Sequence, residues 1–238
     1  MLSPIVGLKV RFQNFNDRKM TIAEKIDFIN KRLPSTTRLV AISKFHPASS
    51  IMEAYQAGQR MFGESREQEL SEKQSSLPKD IEWHFIGHLQ TNKVKYIAPY
   101  VALVHSVDSI KLLQELDKQA EKCGRVIDCL LELHVAQEET KYGFDFDDVR
   151  ALYRESVLSK FKHVKIRGLM GMASNTDNQS QIREEFSSIS SFFSEVKDSF
   201  DPQVDTLSMG MTHDWELAVE EGSTLVRIGS FIFGERVY

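Results

Sequence analysis

The chain has 238 residues, 41% hydrophobic and 27% charged, a balance that suits a soluble globular protein and a length that suits one α/β barrel. A net charge of −4 without a Lys/Arg cluster argues against a nucleic-acid partner, and no apolar run approaches a membrane span. The two cysteines, Cys123 and Cys129, are spaced for neither a redox CxxC pair nor a zinc site, and fit bystander thiols in a reducing cytoplasm.

Residues 1–19 lack the continuous apolar core of a secretory signal and are expected to form a poorly ordered extension ahead of a second methionine, Met20. Thr21 can cap a first helix with Ile22, Ile26 and Ile29 on one face, ending near Pro34. Residues 38–43 (RLVAIS) form a buried strand, and a helix from Pro47 turns Ile51, Met52, Ala54 and Tyr55 inward before Gly58. A strand at 60–62 ends at Gly63 and precedes a polar helix over 66–75. Strand 82–86 is followed by helix 91–97, and strand 101–105 by a helix that Asp108 or Ser109 caps and that reaches Cys123. Strand 126–135, helix 145–159, strand 165–170 and helix 179–200 follow, the last with a stripe of Ile182, Phe186, Ile189 and Phe193. Strand 206–208, helix 214–221 and strand 224–228 complete the series, and Gly229 closes it.

Eight strands alternating with helices demand a parallel sheet, because parallel neighbours need crossover connections. The expected fold is a single (β/α)8 TIM barrel over residues 20–238 with an extra N-terminal helix. An open doubly wound sheet is the alternative. Chemistry in such a barrel sits at the C-terminal ends of the strands. The first strand ends in Ser43-Lys44, where burial would lower the lysine pKa and leave a nucleophilic amine. Glycine-rich turns after the seventh and eighth strands, with Ser208, Gly210, Gly229 and Ser230, could cradle a phosphate with backbone N–H groups and hydroxyls. An amine facing a phosphate cradle suits a phosphorylated aldehyde: pyridoxal 5′-phosphate (PLP), or a sugar phosphate handled by a Schiff-base aldolase. Metal binding by the HxxxH of His84 and His88 is not favoured, because the motif straddles a strand end.

The stretches AISKFHPA (41–48), AGQRMFGES (57–65), WHFIGHLQTNK (83–93), TKYGF (140–144), RGLMGMA (167–173), LSMGMTHDWELAVEEGST (207–224) and VRIGSFIFGER (226–236) resemble the YggS/PROSC family of pyridoxal phosphate homeostasis proteins. Their barrel is that of the alanine racemase N-terminal domain. The resemblance implies PLP held as an imine on Lys44, phosphate contacts from Ser208, Gly229 and Ser230, an adjoining loop of Met209, Gly210 and Met211, and Arg227 facing the pyridine nitrogen. The family's usual GEN is here Gly63-Glu64-Ser65, so Ser65 replaces an asparagine near the cofactor.

PLP catalysis uses a protonated pyridinium as its electron sink. A guanidinium only donates, so Arg227 would keep that nitrogen unprotonated. The chain also stops soon after the barrel, without the second domain that completes a racemase site. The expectation is therefore a cytoplasmic, monomeric protein that buffers PLP or delivers it to apoenzymes. A weak PLP-dependent racemase and a regulatory PLP-sensing module remain open readings.

Overall fold

The structure, a computed structural model, describes residues 20–135 and 142–235. The expected extension at 1–19, the first two residues of the 140–144 motif and the C-terminal Tyr238 lie outside the described residues. Eight parallel strands, β1 (Arg38–Ile42), β2 (Met61–Glu64), β3 (Glu82–Phe85), β4 (Leu103–Val107), β5 (Ile127–Glu132), β6 (Val164–Met170), β7 (Thr206–Ser208) and β8 (Leu225–Ile228), close in chain order into a barrel. β8 returns to β1 with Val226 opposite Leu39 and Arg227 opposite Val40.

Helix α1 (Ile22–Asn30) begins with the anticipated cap, a reciprocal box in which Thr21 Oγ1 accepts from the Glu24 N–H and Glu24 Oε2 accepts from the Thr21 N–H. α2 (Ala48–Gln56), α3 (Glu67–Ser76), α4 (Val94–Ile97, continuing a 3-10 turn at Thr91–Lys93) and α5 (Ile110–Lys122) follow the first four strands. Ser109, rather than Asp108, caps α5 by accepting from the Leu112 N–H. α6 (Phe146–Arg154), α7 (Gln179–Ser199), α8 (Trp215–Glu220) and a short α9 (Ser230–Phe233) complete the ring.

Successive strand residues point to opposite faces, so two cores form. Between strands and helices lies the larger, built on residues such as Ile51, Phe62, Trp83, Leu116, Phe186 and Leu207. Inside the barrel lies a smaller cluster of Val40, Ile42, Leu103, Leu130, Met170 and Leu225. Gly63 belongs to that interior: a Cβ there would lie 2.5 Å from Ile42 Cδ1.

Four expectations need correction. β4 runs over 103–107 instead of 101–105, because His105 and Ser106 are buried strand residues with polar partners and not the end of an apolar run. β5 is confined to 127–132: Val126 is exposed, and Leu133 leaves the sheet to bridge Phe144. α6 stops at Arg154, since Ser156 adopts a left-handed φ of 54°. On α7 the aromatic buried alongside Phe186 is Phe192, while Phe193 is only half-buried at the edge of the stripe. α9, which the sequence reading did not anticipate, packs on α1, with Phe28 and Phe231 rings 5.6 Å apart and Lys25 Nζ donating to the Ile232 carbonyl.

Candidate active site at the barrel mouth

A cleft of about 280 Å³ opens at the C-terminal ends of the strands. Lys44, the residue two beyond Ile42 on the interior face of β1, forms one wall. Arg227 from β8, Gly229 and Ser230 from the start of α9, and Met211, Thr212 and His213 from the β7–α8 turn form others. Met170 and Met172 from the end of β6 and Ile42 and Ile86 supply apolar surface.

Arg227 is 4% exposed and anchored on three acceptors. Its Nη1 donates to the carbonyl and Oγ of Ser208 at 2.8 and 2.7 Å, and its Nη2 to the Gly171 carbonyl at 3.1 Å. Burial lowers its pKa to about 10, opposed by the charges of Asp214 and Glu132. The Ser208 hydroxyl, which accepts from Arg227, also pairs with His105 Nδ1 at 3.0 Å. His105 Nε2 then faces His84 Nδ1 at 2.9 Å. Burial holds both histidines neutral, His84 at about 3 and His105 well below the ordinary value, where the His84 and Arg227 neighbours also act against its charge. A polar chain thus runs from the cleft wall through the barrel interior. At the C-terminal end of β5, burial and then the Asp108 charge push Glu132 up to about 7, against the pull of Arg227.

The structure brings Lys44, Arg227, Gly229 and Ser230 together. Met211 of the expected adjoining loop also lines the cleft, whereas Ser208, Met209, Gly210 and Ser65 lie outside its lining. Ser208 is fully buried, and its hydroxyl is spent on Arg227 and His105 inside the barrel. Met209 is packed in the outer core. Gly210 has φ 94°, and a Cβ there would meet the Ala218 Cβ at 2.5 Å, so this glycine is required by the turn and by the close approach of α8. A Cβ on Gly229 would lie 2.9 Å from the Ile42 carbonyl oxygen, so its smallness serves contact with β1. Ser65 follows β2 and is pressed against Gly87, away from the cleft lining. Thr212 was missed as a site residue. Its Oγ1 lies 3.2 Å from Ser230 Oγ, so two hydroxyls from the β7 and β8 loops meet at one end of the cleft. The Ser-x-Gly-x-Thr spacing over 208–212 carries the signal for it in the sequence. The HxxxH pair diverges, His84 facing inward and His88 Nδ1 pairing with Asp108 Oδ2 at 2.9 Å.

Comparison with known proteins gives the same architecture a lineage. Residues 19–237 match the family model described as alanine racemase, N-terminal domain. The pyridoxal phosphate homeostasis protein of Aquifex aeolicus is 41% identical over 202 residues, covering 84% of this chain and 88% of that protein. The chain belongs to the pyridoxal phosphate homeostasis protein family. The relative of the same name from Pasteurella multocida is 37% identical over 87% of the chain and 90% of its own length. PipY of Synechococcus elongatus, solved without PLP and with PLP bound, is 39% identical, covers 90% of the chain, is itself covered completely, and superposes with TM-scores of 0.84 and 0.81. Alanine racemase from Clostridium difficile shares the fold at a TM-score of 0.71 with 12% identity, and the match spans 56% of the racemase. The match takes in the whole PipY chain, whereas the racemase continues beyond it.

Proposed function

We propose that this protein binds PLP in the mouth cleft through Lys44 and serves PLP homeostasis by buffering the cofactor or releasing it to acceptor amines. The observation that carries the reading is the convergence, in one cleft, of an amine from β1, a buried guanidinium from β8 and the Thr212–Ser230 hydroxyl pair. Those groups suit a flat ring with an aldehyde on one side and a phosphate on another. The names of the relatives and the PLP-bound PipY structure support the same cofactor.

Bound PLP supplies an electrophilic aldehyde and an electron-withdrawing ring. Lys44 would hold the cofactor through its amine, which has to be neutral to be nucleophilic towards an aldehyde. Thr212 and Ser230, with backbone N–H groups of the same turns, would hold the phosphate. Arg227 only donates, and its pKa, though lowered, stays well above neutrality, so it disfavours a proton on a ring nitrogen placed against it. That weakens carbanion stabilisation and favours storage over turnover. A monomer, with PLP-dependent apoenzymes as recipients, completes the proposal, and no helix among the described residues is long and apolar enough to cross a membrane.

The test is borohydride reduction of the PLP-loaded protein followed by peptide mass spectrometry. A pyridoxyl adduct on Lys44 is expected, as is loss of the visible absorbance band in Lys44→Ala with an unchanged far-UV spectrum. A Lys44→Ala variant that keeps the band would overturn the proposal. The competing racemase reading predicts exchange of an amino acid's α-proton with deuterated solvent, and a slow or absent exchange supports storage.

A further inference from the structure

We infer that Glu69, acting with Glu64 and Lys73, is a positioning residue for Lys44: it sets the backbone on both sides of the lysine and so aims the amine into the cleft. The inference rests on the reading of Lys44 given above. Lys44 lines the cleft from the turn that follows β1, between Ser43 and Phe45. The neighbours are held there by a buried ionic cluster. Ser43 Oγ donates to Glu64 Oε1 at 2.6 Å, and the Ser43 carbonyl accepts from Lys73 Nζ at 2.8 Å. On the other side, the Phe45 N–H donates to Glu69 Oε1 at 2.6 Å. Lys73 ties the carboxylates together, reaching Glu64 Oε1 at 2.8 Å and Glu69 Oε1 at 2.6 Å.

Three features make this more than packing. The cluster is costly, since the Glu64 side chain is 0% and the Lys73 side chain 8% exposed, and well-packed apolar groups would serve stability as well or better. Phe45 has φ 66°, a left-handed conformation that a β-carbon disfavours, and the carboxylate that captures its N–H holds it there. None of Glu64, Glu69 and Lys73 lines the cleft, so their influence on a ligand passes through the Ser43–Phe45 backbone. Fixing that backbone selects the approach of the Lys44 amine, and condensation is sensitive to misplacement of the reacting atoms.

The experiment compares PLP with pyridoxine 5′-phosphate, which keeps the ring and phosphate but carries an alcohol where PLP has the aldehyde. Dissociation constants for both, and the rate of borohydride trapping at Lys44, are measured for the full chain and for Glu69→Ala, Glu69→Gln and Ser43→Ala. Wild type is expected to prefer PLP. Glu69→Ala is expected to lose on the order of tenfold or more of that preference while binding pyridoxine 5′-phosphate as wild type does. Glu69→Gln, which keeps an acceptor oxygen for the Phe45 N–H, should retain most of it. Should Glu69→Ala not fold, Ser43→Ala, which removes a single bond, provides the same readout with a smaller loss. Equal weakening of both ligands, or no change in either, would overturn the assignment. No preference and no trapped product in the wild type would remove the Lys44 reading and this inference with it.

Discussion

Ser208 and Ser230 are both serines at strand ends, yet their surroundings assign them different work. The Ser208 hydroxyl lies inside the barrel between Arg227 and His105, whereas Ser230 lines the cleft beside Thr212. Ser208→Ala leaves Arg227 Nη1 and His105 Nδ1, both buried, without this partner and should cost about 1–3 kcal/mol of stability, measured by urea denaturation. Ser230→Ala should barely change stability but should weaken pyridoxine 5′-phosphate binding more than Ser208→Ala does, measured by calorimetry. Gly168 is constrained both by its φ of 152° and by close contact. A Cβ there would stand 1.9 Å from the Thr206 carbonyl oxygen across the β6–β7 pair, against backbone that cannot swing aside. Gly168→Ala is therefore expected to destabilise by about 1–3 kcal/mol or more, or to abolish soluble expression.

At the scale of elements, existence was legible and edges were not. The capping box at Thr21, the β-branched runs of β1 and β8 and the long apolar stripe of α7 follow from local chemistry, and the structure forms each of them. β4 slipped by two residues because hydropathy treats a histidine and a serine as an ending, while tertiary partners make His105 and Ser106 interior. α6 ended early because Ser156 turns left-handed, which nothing in its residue type announces. Ser156→Gly removes the β-carbon penalty at that turn and should raise stability by roughly 0.5–1 kcal/mol, seen as a higher Tm. α9 escaped notice because four residues are too short for periodicity to register; its packing on α1 gives the extra N-terminal helix a role in supporting the Gly229–Ser230 end of the cleft.

At the scale of the whole molecule, buried titrating groups set the pH response. Glu64 and Glu132 are both raised to about 7, Glu64 by burial against the pull of Lys73, with its Oε2 lacking a hydrogen-bond partner. Their folded values exceed the unfolded ones, so the native state binds more protons between about 4.5 and 7, and these groups lower stability as pH rises through that window. The interior histidines act oppositely. Their folded values are depressed below 6.5, so their contribution is lost as pH falls beneath it. The two effects offset one another between about 4.5 and 6.5, and below that range the histidines drive acid unfolding. Glu132→Gln isolates the carboxylate. Its stability relative to wild type should be greater at pH 8 than at pH 5 by on the order of 1–3 kcal/mol, measured by denaturant titration at both values. An equal difference at the two pH values would contradict the burial assigned to Glu132.

The order of strands and helices, the parallel barrel and the amine at the end of β1 were determined by the sequence alone, because alternating apolar runs, caps and crossover lengths act over a few residues. Only the tertiary structure decided which strand-end residues share the cleft. Closing the sheet turns alternate side chains inward and brings β4, β7 and β8 against one another, so Ser208 is claimed by Arg227 and His105 while Thr212 reaches Ser230. Residue type carries no information about such partners when they lie some hundred positions apart in the chain, as Ser208 and His105 do.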